Sequence, residues 1–240
     1  MARLVSWPIG LRANGREPLS GPRTIGAAQT QSVGGFVQTV AAPFGLWRWR
    51  FSFPPIRGQL FRRYRGWVTS LHGGANATRV TWCDWDQLSF VQRGIVTTSD
   101  QWKAGVPWSN GLPWQGGEPW GIGNPVVAVS AAADKDATTI ALDSAFWGNN
   151  LDIGDVLGFM PFHFGWYMVT ERIDAGQYRI WPPLDKAIST DDFATLNPVM
   201  AARLESEEAA TASRSAAFAE GLTVTLIQVK DYDVRDYFAD

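Results

Sequence analysis

The segment Leu222-Thr223-Val224-Thr225-Leu226-Ile227-Gln228-Val229 lies near the carboxyl end of the 240-residue chain and decides the fold. Its apolar and β-branched residues, introduced by Gly221, predict a strand. Because this strand is too apolar to stand alone, it must pair with a strand formed earlier in the chain. The prediction therefore brings the end of the sequence back to its first half.

A second strand is predicted at Trp47-Arg48-Trp49-Arg50-Phe51-Ser52-Phe53, in which aromatic and polar residues alternate strictly. Side chains of a strand point to alternate faces, so the aromatic residues share one face and the arginines share the other. Pro54-Pro55 ends this strand. The alternation predicts a sheet with one buried aromatic face and one arginine-bearing face.

A helix is predicted over residues 56–71, because apolar residues recur there at helical spacing while arginines lie mainly off the stripe. Gly73-Gly74 follows, and glycine tolerates the positive φ angles that end a helix. His72, just before these glycines, is interpreted as part of this helix ending. The apolar stripe consists of Leu60, Phe61, Tyr64, Trp67, Val68 and Leu71.

Five short apolar or alternating runs separated by turn residues follow in the second half of the chain. Strands at such close and regular spacing are typical of a small β-barrel. We expect this barrel to occupy residues 126–203, with 204–221 as a polar loop in preference to the start of a short helix, and an acidic, tyrosine-bearing segment at 231–240 on the surface. The runs are 126–129, 138–142, 156–159, 166–170 and 177–181.

Charge is unevenly divided along the chain, although the formal net charge is only −2. Residues 1–83 carry eleven arginines and one acid, Glu17, whereas residues 84–240 carry ten basic and twenty-two acidic side chains. Such asymmetry favours contacts between copies of the chain, and it is also compatible with opposite faces of a single fold. The arginines expected on one side of a subunit contact are Arg48, Arg50, Arg62 and Arg63.

Catalytic and cofactor patterns are scarce in this sequence. One cysteine and two histidines, His72 and His163, leave few ligands for a metal, and no phosphate-binding or dinucleotide-binding glycine pattern occurs. We therefore expect no enzyme activity, no metal and no cofactor. One enzymatic alternative stays open: Asp84 and Asp86, two residues apart on a predicted strand, have a spacing compatible with the carboxylate pair of an inverting glycosidase.

A tryptophan-rich loop is predicted at 102–125, where Gly, Pro and Asn interrupt any strand or helix period. Three Pro-Trp pairs place Trp108, Trp114 and Trp120 six residues apart. A proline-stiffened aromatic loop loses little entropy on ordering, so it suits an interface. Packing on its own subunit, contact with a neighbouring subunit and stacking on glycans remain the three alternatives.

The chain also carries a family resemblance in six segments taken in their order. In the first half these are Trp7-Pro8, the stretch 34–47 with Gly34-Gly35-Phe36 and Gly45-Leu46-Trp47, and the helix end 67–74. In the second half they are 151–156, 166–170 and 180–184. Together these segments resemble tail proteins of long-tailed bacteriophages, in particular the distal tail proteins of the tail tip.

The resemblance implies a mainly β protein with a β-sandwich-like tube domain, one helix and an inserted small β-barrel. The tube domain would comprise 1–125 and 204–240, and the barrel 126–203. It also implies a structural virion subunit that forms a ring, most simply a hexamer, between the tail tube and the hub or receptor-binding proteins. Genome DNA would pass through the lumen without specific binding.

The same resemblance implies localisation in the virion tail after assembly in the bacterial cytoplasm. No apolar run is long enough to span a bilayer, so no membrane partner is expected. The alternative functions are a glycan-binding or glycan-hydrolysing tail component, or another minor tail or adaptor protein.

Overall fold

The computed structural model describes residues 3–24, 30–31, 37–38, 45–81, 126–143, 151–161 and 163–230, together with the single positions 86, 88, 92 and 112. These residues belong to two compact units. The first unit draws on Met1–Thr81, Phe164–Trp166 and Val199–Asp240, and the second on Trp82–His163 and Tyr167–Pro198.

The first unit contains a seven-stranded sheet and the one α-helix found among the described residues. The first elements of this unit along the chain are β1 (Leu4–Val5), β2 (Gly15–Thr24), β3 (Thr30–Gln31), β4 (Val37–Gln38), β5 (Gly45–Ser52), α1 (Gln59–Ser70) and β6 (Ala77–Thr81). The strands β3 and β4 form a separate two-stranded sheet. The remaining strands of this unit, numbered in chain order, are β13 (Val199–Leu204), β14 (Ala210–Arg214) and β15 (Ala219–Gln228).

The strand β15 lies in the middle of the seven-stranded sheet, between β13 and β5. The order is β1-β6-β13-β15-β5-β2, and β14 also pairs with β15. Leu226 of β15 lies opposite both Trp49 of β5 and Leu204 of β13. The predicted return of the last strand to the first half of the chain is therefore confirmed, and its partner there is β5. At the outer edge, β2 carries Pro18 and Pro22, residues that cannot donate to an added strand.

One face of this sheet is packed with aromatic residues and covered by α1. The alternating burial of β5 confirms the predicted two-faced strand, because Trp47 and Trp49 are buried. Helix α1 presents Tyr64 and Trp67 to this face, and the Trp67 indole N–H donates to Thr78 Oγ1 at 3.3 Å. The predicted helix is thus present, beginning three residues later than expected.

The glycine pair after α1 is required by the backbone. Gly73 and Gly74 have φ angles of +64° and +102°, values that side chains disfavour. A Cβ on Gly74 would approach the carbonyl oxygen of Leu204 to 2.6 Å. The turn is therefore closed by glycine both for its dihedral angles and for its close contact with β13.

The segment 204–221 is not the polar loop that we expected. It contains a short 3₁₀ turn at Glu207–Ala209 and the strand β14, which pairs with β15 across a register shift near Gly221. The alanine and serine side chains of β14 are mostly exposed and show no apolar alternation. Its strand conformation is stabilised by pairing with β15 and by Tyr64, whose hydroxyl donates to Thr211 O at 2.9 Å.

The second unit is a closed six-stranded barrel in the order β10-β11-β8-β7-β12-β9. The five predicted strands are present, and the barrel is closed by β12, in which Ala194 lies opposite both Val127 and Phe159. The barrel strands are β7 (Val126–Ala131), β8 (Thr139–Leu142), β9 (Val156–Met160), β10 (Tyr167–Asp174), β11 (Gln177–Trp181) and β12 (Phe193–Thr195).

The boundaries of these units differ from the predicted ranges at both ends of the barrel. Val199–Leu204 forms β13, which pairs with β6 and β15 and so belongs to the seven-stranded sheet. Leu88, from the range predicted for the first domain, packs against the barrel core. The mainly β, sandwich-like fold class is confirmed. None of the helices in the described part of the chain is long and apolar enough to cross a membrane.

Candidate subunit interface

The outer face of β5 places Arg48 and Arg50 as the sequence predicts, and both find acidic partners within the same chain. Arg48 forms an ion pair with Glu205, just after β13, and the two side chains are about equally exposed. Arg50 Nη1 lies 3.8 Å from Glu17 Oε2 on β2. Both arginines thus sit on the sheet face opposite the aromatic core, where part of their charge is already balanced.

Strand register adds two further arginines to this face. Directly opposed residues of antiparallel strands point to the same side of a sheet. Arg203 of β13 and Arg48 of β5 both lie opposite Ile227 of β15, so the three form one row across the strands. Arg79 of β6 lies opposite Ala201 in a neighbouring row. We call Arg48, Arg50, Arg79 and Arg203 the arginine face.

Sequence reasoning did not select Arg79 and Arg203. Each stands between apolar or small residues, in Ala77-Thr78-Arg79-Val80 and Ala201-Ala202-Arg203-Leu204, and each is exposed while its strand neighbours are buried. The alternation around them is a detectable strand signal. Their proximity to Arg48 depends on strand order and register, which no local pattern specifies.

The other two candidate arginines lie on α1, whose buried side faces the aromatic side of the sheet. Arg62 is exposed, and Arg63 Nη1 donates to the carbonyl oxygen of Ile9 at 2.7 Å. Arg63 therefore holds the segment before β2 against the helix. The four predicted arginines do not form one patch but are divided between the two sides of the first unit.

The three loop tryptophans proposed for an interface, Trp108, Trp114 and Trp120, lie outside the described residues. So does Asp84, and with it the suggested carboxylate pair with Asp86. By contrast, five of the thirteen tryptophans contribute to the aromatic core of the first unit. They are Trp7, Trp47, Trp49, Trp67 and Trp166.

The barrel contains a buried polar cluster around Tyr167. Its Oη accepts a hydrogen bond from the Asp185 backbone N–H at 3.0 Å and lies 2.5 Å from His163 Nε2. Burial lowers the pKa of His163 to about 4, with Lys186 lowering it further and Asp192 partly opposing this. His163, one of the two histidines of the chain, is therefore a buried residue held by a hydrogen bond to Tyr167.

His163 and Tyr167 are both buried, and the His163 imidazole is hydrogen-bonded to the Tyr167 hydroxyl. His72 is exposed with a φ of +46°, in the turn after α1. Within the described ranges, no three His, Cys, Asp or Glu side chains are grouped so as to hold a metal ion.

Comparison with protein-family models and with curated proteins finds no match for the chain.

Proposed function

We propose that this protein is a structural, ring-forming subunit of the tail tip of a long-tailed bacteriophage. The single observation that carries the proposal is the position of β15: after the complete barrel, the chain returns to insert a central strand between β13 and β5. A helix-bearing sheet unit interrupted by a small barrel is the architecture implied by the family resemblance. The ring, of six copies, would join the tail tube to the hub or receptor-binding proteins.

The distribution of charge supports a role in assembly. Arginines lie on both sides of the first unit, with Arg62 exposed on α1 and the arginine face on the opposite side of the sheet. Acidic residues are concentrated in the second half of the sequence. Opposite charge on different parts of one subunit allows copies to associate in a repeated head-to-tail manner, which forms a ring where the rotation between neighbouring copies closes.

In this proposal genome DNA passes through the lumen without specific contacts, and the protein resides in the virion tail after assembly in the bacterial cytoplasm. The task requires complementary interfaces and a stable fold rather than a reaction centre. The two well-packed cores and the buried, neutral His163 are in keeping with such a role.

The test is native mass spectrometry of the purified chain and of charge-reversal variants. Arg62→Glu removes an exposed cation without breaking a contact of the described fold, and Arg62→Glu/Arg63→Glu extends the reversal. We expect rings to disappear in both variants while far-ultraviolet circular dichroism stays unchanged. Lys135→Glu, the same charge change in a turn of the barrel, is the control and should retain rings. Unchanged rings in the double variant would contradict this contact.

A further inference from the structure

The outer side of α1 carries arginines that have no acidic partner in the described ranges. Arg62, Arg65 and Gly66 are three or four positions apart or adjacent, so they lie on one side of the helix, and all three are exposed. Arg214 of β14 adds a third guanidinium, whose Cζ lies 5.0 Å from the centre of the Phe61 ring. The three arginines form no ion pair with any described residue. We call Phe61, Arg62, Arg65, Gly66 and Arg214 the helix face.

The helix face is shaped for a partner that brings both carboxylates and a large apolar side chain. Helix α1 itself contains no acidic residue. The Phe61 ring is half-buried beneath Arg214, and arginine binds carboxylates as well as aromatic rings. Gly66 weakens the helix interior relative to alanine, and no atom lies within 4 Å of the position that its Cβ would take. A partner side chain can therefore approach the helix backbone beside Arg62 and Arg65.

The outer surface of the barrel presents a pair of exposed apolar side chains. Phe193 of β12 lies opposite Met160 of β9 and Ala128 of β7. The next residue of β12, Ala194, belongs to the barrel core, so Phe193 and the residues opposite it point outwards. Phe193 is 42% exposed and Met160 is 43% exposed. Phenylalanine and methionine are enriched in protein interfaces, where such side chains become covered.

An available carboxylate lies beside this pair. Asp191 is exposed, two residues before Phe193, and forms no ion pair within the part of the chain that the structure describes. The neighbouring Asp192 is already used in its turn, because its Oδ2 accepts from the Ser189 backbone N–H at 2.7 Å. The whole segment 126–198 carries ten acidic and four basic side chains. We call Ala128, Met160, Asp191 and Phe193 the barrel face.

We propose that the helix face of one copy binds the barrel face of a second copy, with Asp191 against Arg62 and Arg65, and with Phe193 against Phe61 and Gly66. The two faces match in charge and in apolar character. They are different surfaces of the same chain, so the contact is heterologous and repeats from copy to copy. This inference rests on the proposed function, because it names the partner surface for the contact made by Arg62.

The first experiment removes the apolar half of the contact and follows assembly by native mass spectrometry of the full-length chain. Phe193→Ser is compared with Ile173→Ser, a matched control because Ile173 is 44% exposed on β10. Met168 of β10 pairs with Val156 of β9, and from this pair Ile173 and Met160 lie in opposite directions. The nine residue steps between them amount to about 30 Å along the strands.

We expect Phe193→Ser to lose rings at concentrations where the unmodified protein and Ile173→Ser retain them. Circular dichroism and thermal unfolding establish that both variants are folded.

The second experiment reverses the charges of the contact. Arg62→Glu and Asp191→Arg should each raise the subunit concentration needed for half-assembly by about tenfold or more, because each places like charges together. The double variant Arg62→Glu/Asp191→Arg again pairs opposite charges and should restore rings. Arg62→Glu/Asp174→Arg has the same net charge, but Asp174 lies beside Ile173 at the distant end of β10, so this control should not restore them.

The outcomes separate this contact from the proposed function. Rings that form in the unmodified protein and persist in Phe193→Ser and Asp191→Arg would overturn the contact, leave the proposed function in place and assign the helix face to another acidic partner. Equal restoration by the two double variants would overturn it as well, since net charge alone would then explain assembly. An unmodified protein that stays a single copy would overturn both proposals.

Discussion

The two units of this protein fill their cores with different side chains. The sheet unit packs tryptophans against one another: the Trp166 ring meets those of Trp47 and Trp49 edge-on at centroid distances of 6.1 and 5.7 Å, and Trp7 and Trp67 lie 4.8 Å apart. The barrel core is largely aliphatic, with one polar cluster around Tyr167. The two units therefore form their cores in different ways, the sheet unit mainly from aromatic rings and the barrel mainly from aliphatic side chains.

This difference indicates which substitutions should destabilise each unit most. Large rings bury much area and add specific edge-to-face contacts, so loss of one ring leaves a cavity that neighbouring rings cannot fill. In the barrel, the buried hydrogen bonds around Tyr167 are a second kind of sensitive point, because an unsatisfied buried polar group costs about 1–3 kcal/mol.

The largest effect is expected from Trp47→Ala in the sheet unit. Trp47 is fully buried, and its indole N–H donates to Trp166 O at 2.7 Å. We expect a loss of about 3–5 kcal/mol in the free energy of unfolding. Trp47→Phe, which retains a ring but leaves the carbonyl without this donor, should cost about 1–3 kcal/mol. Urea denaturation followed by circular dichroism measures both, and equal costs would show that ring volume is not the main contribution.

The next largest effect is a loss of folding stability at acidic pH, caused by the buried His163 of the barrel. Since burial lowers the pKa of His163 from 6.5 to about 4, the unfolded chain takes up a proton first as the pH falls. The contribution of neutral His163 to the free energy of unfolding is therefore fully present above about pH 6.5. On the order of 3 kcal/mol of it is lost as the pH falls towards 4. His163→Gln should flatten this part of the stability profile. Identical slopes in the unmodified protein and the variant would contradict the assignment.

A smaller effect distinguishes two buried tyrosines of the barrel. Tyr167→Phe removes a hydroxyl that bonds both His163 and the Asp185 N–H, so we expect a loss of about 1–3 kcal/mol. Tyr178 is equally buried, but its hydroxyl has no hydrogen-bond partner among the residues that the structure describes. Tyr178→Phe should therefore change stability by less than about 0.5 kcal/mol, or increase it. Thermal unfolding of the matched pair measures the difference, and equal losses would refute it.

The smallest effect is expected on the arginine face. The Arg48–Glu205 ion pair is partly exposed, and such pairs are screened by solvent. A double-mutant cycle with Arg48→Ala and Glu205→Ala should give a coupling free energy of about 0.2–1 kcal/mol that decreases with salt. A coupling comparable to the cost of Trp47→Ala would mean that the sheet is held together by charge as much as by its aromatic face.

Much of the fold could be predicted because its main elements carry strong local patterns. The alternation of β5, the apolar stripe of α1 and the apolar run of β15 each identify the element and its buried side. The strands β2, β12, β13 and β14 are among those that the sequence patterns did not predict, and for two of them the physical reason is clear. β12 has only three residues, and β14 is a run of small exposed residues whose strand conformation comes from pairing rather than from its own sequence.

The candidate site was less accessible to sequence reasoning. The sequence identifies Arg48 and Arg50 as outward-facing, but the pairing of Arg48 with Glu205 depends on the register of β13 against β15 and of β15 against β5. Arg203 joins the same row for the same reason. Contacts between residues more than 150 positions apart in sequence are fixed by topology, which local periodicity does not contain.

The central claim is that the chain is a building block whose copies close into a ring. Native mass spectrometry of the unmodified protein, over a range of concentrations at low salt, tests it most directly. The account predicts a dominant species of six times the 26.5 kDa subunit mass. A protein that remains a single copy at the highest concentration would contradict it.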